Sequence, residues 1–150
     1  MTEPIQLEFT VGCTPTEAFD TWTQRISIWW PKQHTRSREL DAHVVLEPGV
    51  GGRLFERTAN GDEFHWGSVT AWDRPHRFGY RWHVTSPPDE ATHVEIRFAD
   101  GGDGTTRVTI LHSGFDGLGD KGPLRRDGNL RYWETLVPAF TKACEHADTR

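Results

Sequence analysis

Glu63-Phe-His-Trp-Gly-Ser-Val-Thr-Ala-Trp72, Asp73-Arg-Pro75 and Arg77-Phe-Gly-Tyr-Arg-Trp-His-Val-Thr85 set the reading of the whole chain. Two runs rich in aromatic and β-branched residues flank a short Asp/Pro turn, which is the signature of an antiparallel pair of strands. By alternation Phe64, Trp66, Ser68 and Thr70 share one face, and so do Phe78, Tyr80, Trp82 and Val84. A hairpin that sets Trp66 opposite Trp82 keeps both rows on one side of the sheet.

The same punctuation continues in both directions. Upstream lie His43–Glu47, the turn Pro48–Gly52, Arg53–Arg57 and the hairpin signal Ala59-Asn-Gly-Asp62. Downstream, Ser86–Asp89 leads to a strand over Thr92–Ala99, Asp100–Gly104 turns it, and Thr105–Ser113 closes the series. Val94, Ile96 and Phe98 share a face, as do Val108, Ile110 and His112. Six strands with tight turns form an antiparallel meander.

Before it, Ile5–Val11 alternates as a half-buried seventh strand, and Thr14-Pro15-Thr16-Glu17 opens a helix through a capping box with Pro at the first position. Ala18, Phe19 and Trp22 supply its apolar stripe, and a second short segment with Ile26 and Trp29 stops at Pro31. After the meander, a Gly-rich stretch over Ser113–Gly128 precedes a helical stripe of Leu130, Trp133, Leu136, Val137, Phe140, Ala143, Cys144 and Ala147. Pro138 lies inside that helix and is expected to kink it. Lys121–Arg126 reads as a solvated basic loop. The expected architecture is α+β: a curved seven-stranded antiparallel sheet around a long C-terminal helix, with two short helices after the first strand. A sheet that curls about a helix leaves space for a small molecule between them.

Composition agrees with one domain over residues 1–150, since 150 residues suffice to bury a core. No apolar run approaches the roughly 20 residues of a membrane span. The start of the chain carries no basic and apolar leader, so a cytoplasmic location is expected. The net charge of −5 argues against nucleic acid as partner. Cys13 and Cys144 have no metal or redox spacing and read as buried thiols. No phosphate loop, Gly-x-Ser-x-Gly turn or His-Glu-x-x-His motif is present, so no cofactor or metal is expected.

Several stretches together resemble a known family: Thr14–Phe19, Trp29-Trp30-Pro31, Glu47–Arg53, Trp66–Pro75 with Trp82, Thr106–Thr109, His112–Phe115, and Gly128-Asn129-Leu130 with Trp133. In this order they resemble the START-like (SRPBCC) helix-grip superfamily typified by the birch-pollen allergen. Within it the likeness is to bacterial proteins related to the C-terminal domain of the heat-shock-protein-90 ATPase activator. The resemblance implies the helix-grip fold and a site between helix and sheet for a hydrophobic or aromatic small molecule. It leaves open an enzyme of the polyketide-cyclase/hydrolase-like type, and a chaperone partner. A homodimer is also left open.

Trp66, Tyr80, Trp82, His112, Phe115 and Trp133 are the expected lining residues, the alternative being that the rings simply fill the interior. His112 lies on an apolar face, and Glu56 shares a face with Leu54. Together they are candidates for acid–base work. Against this, His112 also reads as a satisfied structural histidine, and strand 53–57 can equally turn Arg53, Phe55 and Arg57 inward. On the outer face His65, His83 and His93 read as a solvated row, with a metal or pH-sensitive patch as the lesser reading.

Overall fold

Thr14 begins the first helix as the sequence predicts. Its hydroxyl accepts from the Glu17 N–H at 3.2 Å, and the Glu17 carboxylate accepts the Thr14 N–H at 3.0 Å. Such a cap is worth about 1 kcal/mol. The computed structural model describes residues 2–83 and 87–146. In order, β1 (Ile5–Val11), α1 (Pro15–Thr23) and α2 (Ile26–Trp29) are followed by β2 (His43–Leu46), β3 (Arg53–Arg57), β4 (Glu63–Asp73), β5 (Arg77–Trp82), β6 (Thr92–Gly102) and β7 (Thr105–Ser113). The last described element is α3 (Gly122–Glu145).

All seven strands pair antiparallel in the order β1-β7-β6-β5-β4-β3-β2, and the curved sheet grips α3 in the helix-grip arrangement. The meander therefore runs from β2 to β7, and β1 closes its far edge by pairing with β7, Ile5 opposite His112 and Val11 opposite Thr106. On α3, Trp133, Leu136, Phe140, Ala143 and Cys144 are buried, with Leu130 and Val137 packed at the margin. Burying each of the large ones contributes about 1.5–3 kcal/mol. Val94, Ile96 and Phe98, and Val108, Ile110 and His112, are all buried as their alternation predicts. Cys13 and Cys144 lie in the core.

β4 departs from simple alternation. Against β3, Leu54 pairs with Gly67 but Phe55 with His65, and against β5, Val69 pairs with Tyr80 but Ala71 with Gly79. Each shift is a bulge, and each reverses which side chains point inward. Trp66 and Val69 are buried, whereas Ser68 is half-buried and Thr70 is exposed, hydrogen-bonded to His93 at 2.8 Å on the outer face. The inward row of Phe64, Trp66, Ser68 and Thr70 is thereby corrected. The expected Trp66–Trp82 pairing is corrected as well: the Trp66 carbonyl accepts the His83 N–H at 2.7 Å, so Trp66 stands opposite His83. Gly67 allows the close approach here, because a Cβ on it would stand 1.7 Å from the Arg81 carbonyl oxygen.

Several boundaries also move. β6 runs on to Gly102, and Asp103 (φ 54°) with Gly104 (φ 77°) makes a tight two-residue turn, the geometry Asp-Gly favours. α3 starts at Gly122, with Pro123 in its first turn and Gly128 inside it, well before the expected start. The basic cluster Lys121–Arg126 is therefore not a solvated loop. Lys121 and Arg125 both bind Glu90, and Arg126 donates to the Glu3 and Pro4 carbonyls. α3 passes through Pro138 as one continuous element. The expected places of Val84, Thr85, Ser86 and Ala147 fall outside the described residues.

Candidate functional site

Among the buried polar side chains, Glu56 and His112 lie toward opposite ends of the interior between α3 and the sheet. Toward β3, Glu56 has no exposure and faces inward with Leu54. Its carboxylate accepts from the Arg36 and Ser37 N–H groups, the Ser37 hydroxyl at 2.6 Å and the Trp66 indole at 3.1 Å. Four donors around one carboxylate offset its burial. They also strap the loop after Pro31 onto the sheet. Nearby, burial lowers the Lys32 pKa, while the Glu56 charge partly raises it again.

Toward β7, His112 is fully buried, with Nδ1 3.0 Å from the Trp133 indole nitrogen and Nε2 2.6 Å from the Thr92 hydroxyl. Burial, with a smaller push from His93, drives its pKa down to about 3, so the ring is neutral at pH 7. An indole only donates, so Nδ1 is the acceptor and Nε2 carries the hydrogen. Nε2–H then donates to Thr92 Oγ1, and that hydroxyl donates to the Trp82 carbonyl at 3.4 Å. Both ring nitrogens are committed to the protein.

Indoles connect these two ends. Trp133, Trp22, Trp29, Trp30, Trp66 and Trp82 follow one another with ring centroids 6.0, 5.0, 5.6, 5.2 and 5.7 Å apart. Trp133 begins the file at His112, and Trp66, next to its other end at Trp82, donates to Glu56. Tyr80 packs on Trp82 at 5.8 Å, and burial raises its pKa well above the usual phenol value. Phe115 lies 4.8 Å from His112. Trp82 donates to Asn129 of α3 at 2.9 Å.

The six expected lining residues are thus all buried on the inner face, in two groups: His112, Phe115 and Trp133, and Trp66, Tyr80 and Trp82. Glu56 and His112 are not brought into contact, and each has its own partners. Reading the sequence missed Trp30, Thr92, Asn129 and the Arg36-Ser37 donors. Thr92 shares the parity of Val94, and Asn129 lies one turn before Trp133, so both carried a signal. The Arg36-Ser37 loop has no periodicity and carried none.

Among the described residues, openings flank this interior at both ends. At the Glu56 end a cleft of about 730 Å³ is lined by Arg36, Phe64, His65 and His83, among others. His65 and His83 stack at 5.2 Å, and burial, followed by the His65 charge, lowers the His83 pKa. His83 is buried although it stacks on exposed His65, so it is not the solvated residue expected, and His93 pairs with Thr70. Among the described residues, no three His, Cys, Asp or Glu side chains gather to hold a metal. At the His112 end, a groove of about 300 Å³ separates β1 from α3. Leu7, Phe9, Leu130, Trp133, Val137 and Pro138 form its apolar walls, and the carboxylates Glu8 and Glu134 also line it. No helix among the described residues is long and apolar enough to cross a membrane.

A family model described as Activator of Hsp90 ATPase homolog 1-like protein matches residues 12–140. No curated protein matches the chain significantly. Among solved structures, an anthrahydroquino-gamma-pyrone synthase, Txn09, complexed with SUM, is 27% identical with a TM-score of 0.66, covering 94% of this chain and 96% of that one. The self-sacrificing resistance protein CalC from Micromonospora echinospora is 22% identical with a TM-score of 0.69, over 97% and 96% of the two chains. Protein MLL2253 from Mesorhizobium loti is 15% identical, also with a TM-score of 0.69, over 96% and 98%. The last two likenesses carry the fold alone.

Proposed function

This chain belongs to the Activator of Hsp90 ATPase homolog 1-like protein family, and from that premise we propose that it is a cytoplasmic protein that binds a hydrophobic or aromatic small molecule between α3 and the sheet. The observation that carries the reading is the groove between β1 and α3, its walls mostly apolar, with Trp133 in its lining and Glu8 and Glu134 beside them. Its size is at the lower end of ligand sites. Behind Trp133 the file of indoles offers flat apolar faces, with Trp66, Tyr80, Trp82, His112 and Phe115 as the deeper lining. The synthase complexed with SUM supports a guest on this scaffold.

The same synthase favours a second reading, an enzyme of cyclase type. In that reading His112 is not a base at Nδ1 while Trp133 donates there, so the His112–Glu56 pair does not carry the chemistry. The family supports a chaperone-related partner as a third.

Native mass spectrometry of freshly purified protein, with thermal melting against a panel of aromatic and acyl compounds, tests the binding reading. A retained small-molecule mass or a concentration-dependent rise in Tm is expected. Val137→Glu, which adds a third carboxylate to Glu8 and Glu134 and replaces part of the apolar wall, should cancel that rise. Neither a retained mass nor a Tm shift with any compound would overturn the reading.

A further inference from the structure

Six of the seven tryptophans are buried, and five of those six give their N–H to a named acceptor. Trp29 donates to the Thr21 carbonyl at 2.8 Å, Trp30 to the His34 carbonyl at 3.2 Å, and Trp66 to Glu56 at 3.1 Å. Trp82 donates to Asn129 at 2.9 Å, and Trp133 to His112 at 3.0 Å. Trp22 is the exception. It has no exposure, and its Nε1 has no acceptor among the described residues. The neighbouring Thr21 hydroxyl, equally buried, is the other partnerless polar side-chain atom there.

An unmet buried donor costs about 1–3 kcal/mol. A phenylalanine would fill much of the same space without that cost, and Phe is already used at eight other positions. Trp22 also holds a particular place. It is the ring next to Trp133, 6.0 Å away, and Trp133 lines the groove. Its other ring neighbours are Trp29, Phe78 and Phe140, none of them charged. A carboxylate bound there would be a buried charge without a counter-charge, which is costly, so the fitting acceptor is neutral.

We propose that Trp22 Nε1 is the hydrogen-bond donor to the bound guest, and that the guest is a neutral aromatic or polycyclic molecule carrying a carbonyl-type oxygen. This deepens the binding reading above and rests on it.

Fluorene and 9-fluorenone form a matched probe pair, differing only by the carbonyl. Binding is read from the seven indole N–H cross-peaks of protein labelled with ¹⁵N at tryptophan, the Trp22 peak being identified by its loss in Trp22→Phe. Fluorenone should bind at least tenfold more tightly than fluorene and move the Trp22 peak downfield, while fluorene leaves that peak in place. In Trp22→Phe the two probes should bind within about twofold of each other. If Trp22→Phe does not fold, the wild-type affinity ratio decides alone, tenfold or more supporting the assignment and equal affinity overturning it.

Equal affinity of the wild type for both probes overturns the donor assignment and leaves the binding reading standing. A Trp22 cross-peak that keeps contact with a long-lived water after fluorenone binds also overturns the assignment. Binding of neither probe, together with an empty native mass spectrum and no Tm shift, overturns both.

Discussion

At the Glu56 end of the interior, a carboxylate is held by four donors, three of them from a loop. At the His112 end, a neutral imidazole is spliced between a strand hydroxyl and a helix indole. The first sits beside β4, the strand with two bulges. The second sits on the regular β6–β7 ladder. Both groups looked like chemistry in the sequence, and both have their hydrogen-bonding capacity filled by the protein. A buried titratable group is a candidate for proton transfer only when a lone pair or a proton is left over. The two ends differ in what each tie supports. Glu56 fixes a loop to β3, whereas His112 fixes α3 to β7 and, through Thr92, to β6.

The largest effect should come from Glu56→Ala, which strands three N–H donors and a hydroxyl. A loss of about 4 kcal/mol is expected in urea denaturation. A loss below about 1 kcal/mol would show that the loop needs no such strap, and the contrast between the two ends would lapse.

The next effect belongs to His112 and appears as pH dependence. Its folded pKa of about 3 lies below the unfolded value of 6.5, so the unfolded chain takes up this proton first as pH falls. Its stabilising contribution is therefore complete above about pH 6.5 and is lost progressively toward pH 3, at up to about 1.4 kcal/mol per pH unit. Between pH 6.5 and 4 this amounts to about 3 kcal/mol. Stability curves for wild type and His112→Gln should diverge over that window, and parallel curves would remove His112 from the account. His83 and His34 are shifted in the same direction and add to the wild-type slope in both proteins.

Gly67→Ala sharpens the comparison from the backbone side. The added methyl meets the Arg81 carbonyl, and about 2 kcal/mol should be lost as β4 and β5 move apart. Changed amide shifts should be confined to the bulged strand and its neighbours. Spread of those shifts to β6 and β7 would show that the two ends are one cooperative unit. A comparable loss, about 2 kcal/mol in urea denaturation, is expected for Trp133→Phe, which leaves the buried His112 Nδ1 without its donor and shrinks a buried ring.

The regular end is also the legible one. Val94, Ile96, Phe98, Val108, Ile110 and His112 were placed on the inner face by period-two alternation alone, and the family resemblance supplied the grip of the long helix. Alternation failed at Ser68 and Thr70, since a bulge adds one residue and changes no composition. Gly67 was its only written trace, and a single glycine in a strand has several readings. His112 was recognised as a polar residue on an apolar face, but its partners come from β6 and α3, far away in sequence. Glu56 was ambiguous for the same reason. Its donors lie in a loop without periodicity, and only the folded chain brings them to it.

The file of indoles from Trp133 to Trp82 has an optical consequence. Rings this close share their electronic transitions, so absorption of near-ultraviolet light excites a group of them rather than one. The circular dichroism of the aromatic bands then belongs to the row as a whole, and replacing any member rewrites the bands of its neighbours. The protein carries a built-in chiral antenna, whose signal should report whether both ends of the interior are in place at once.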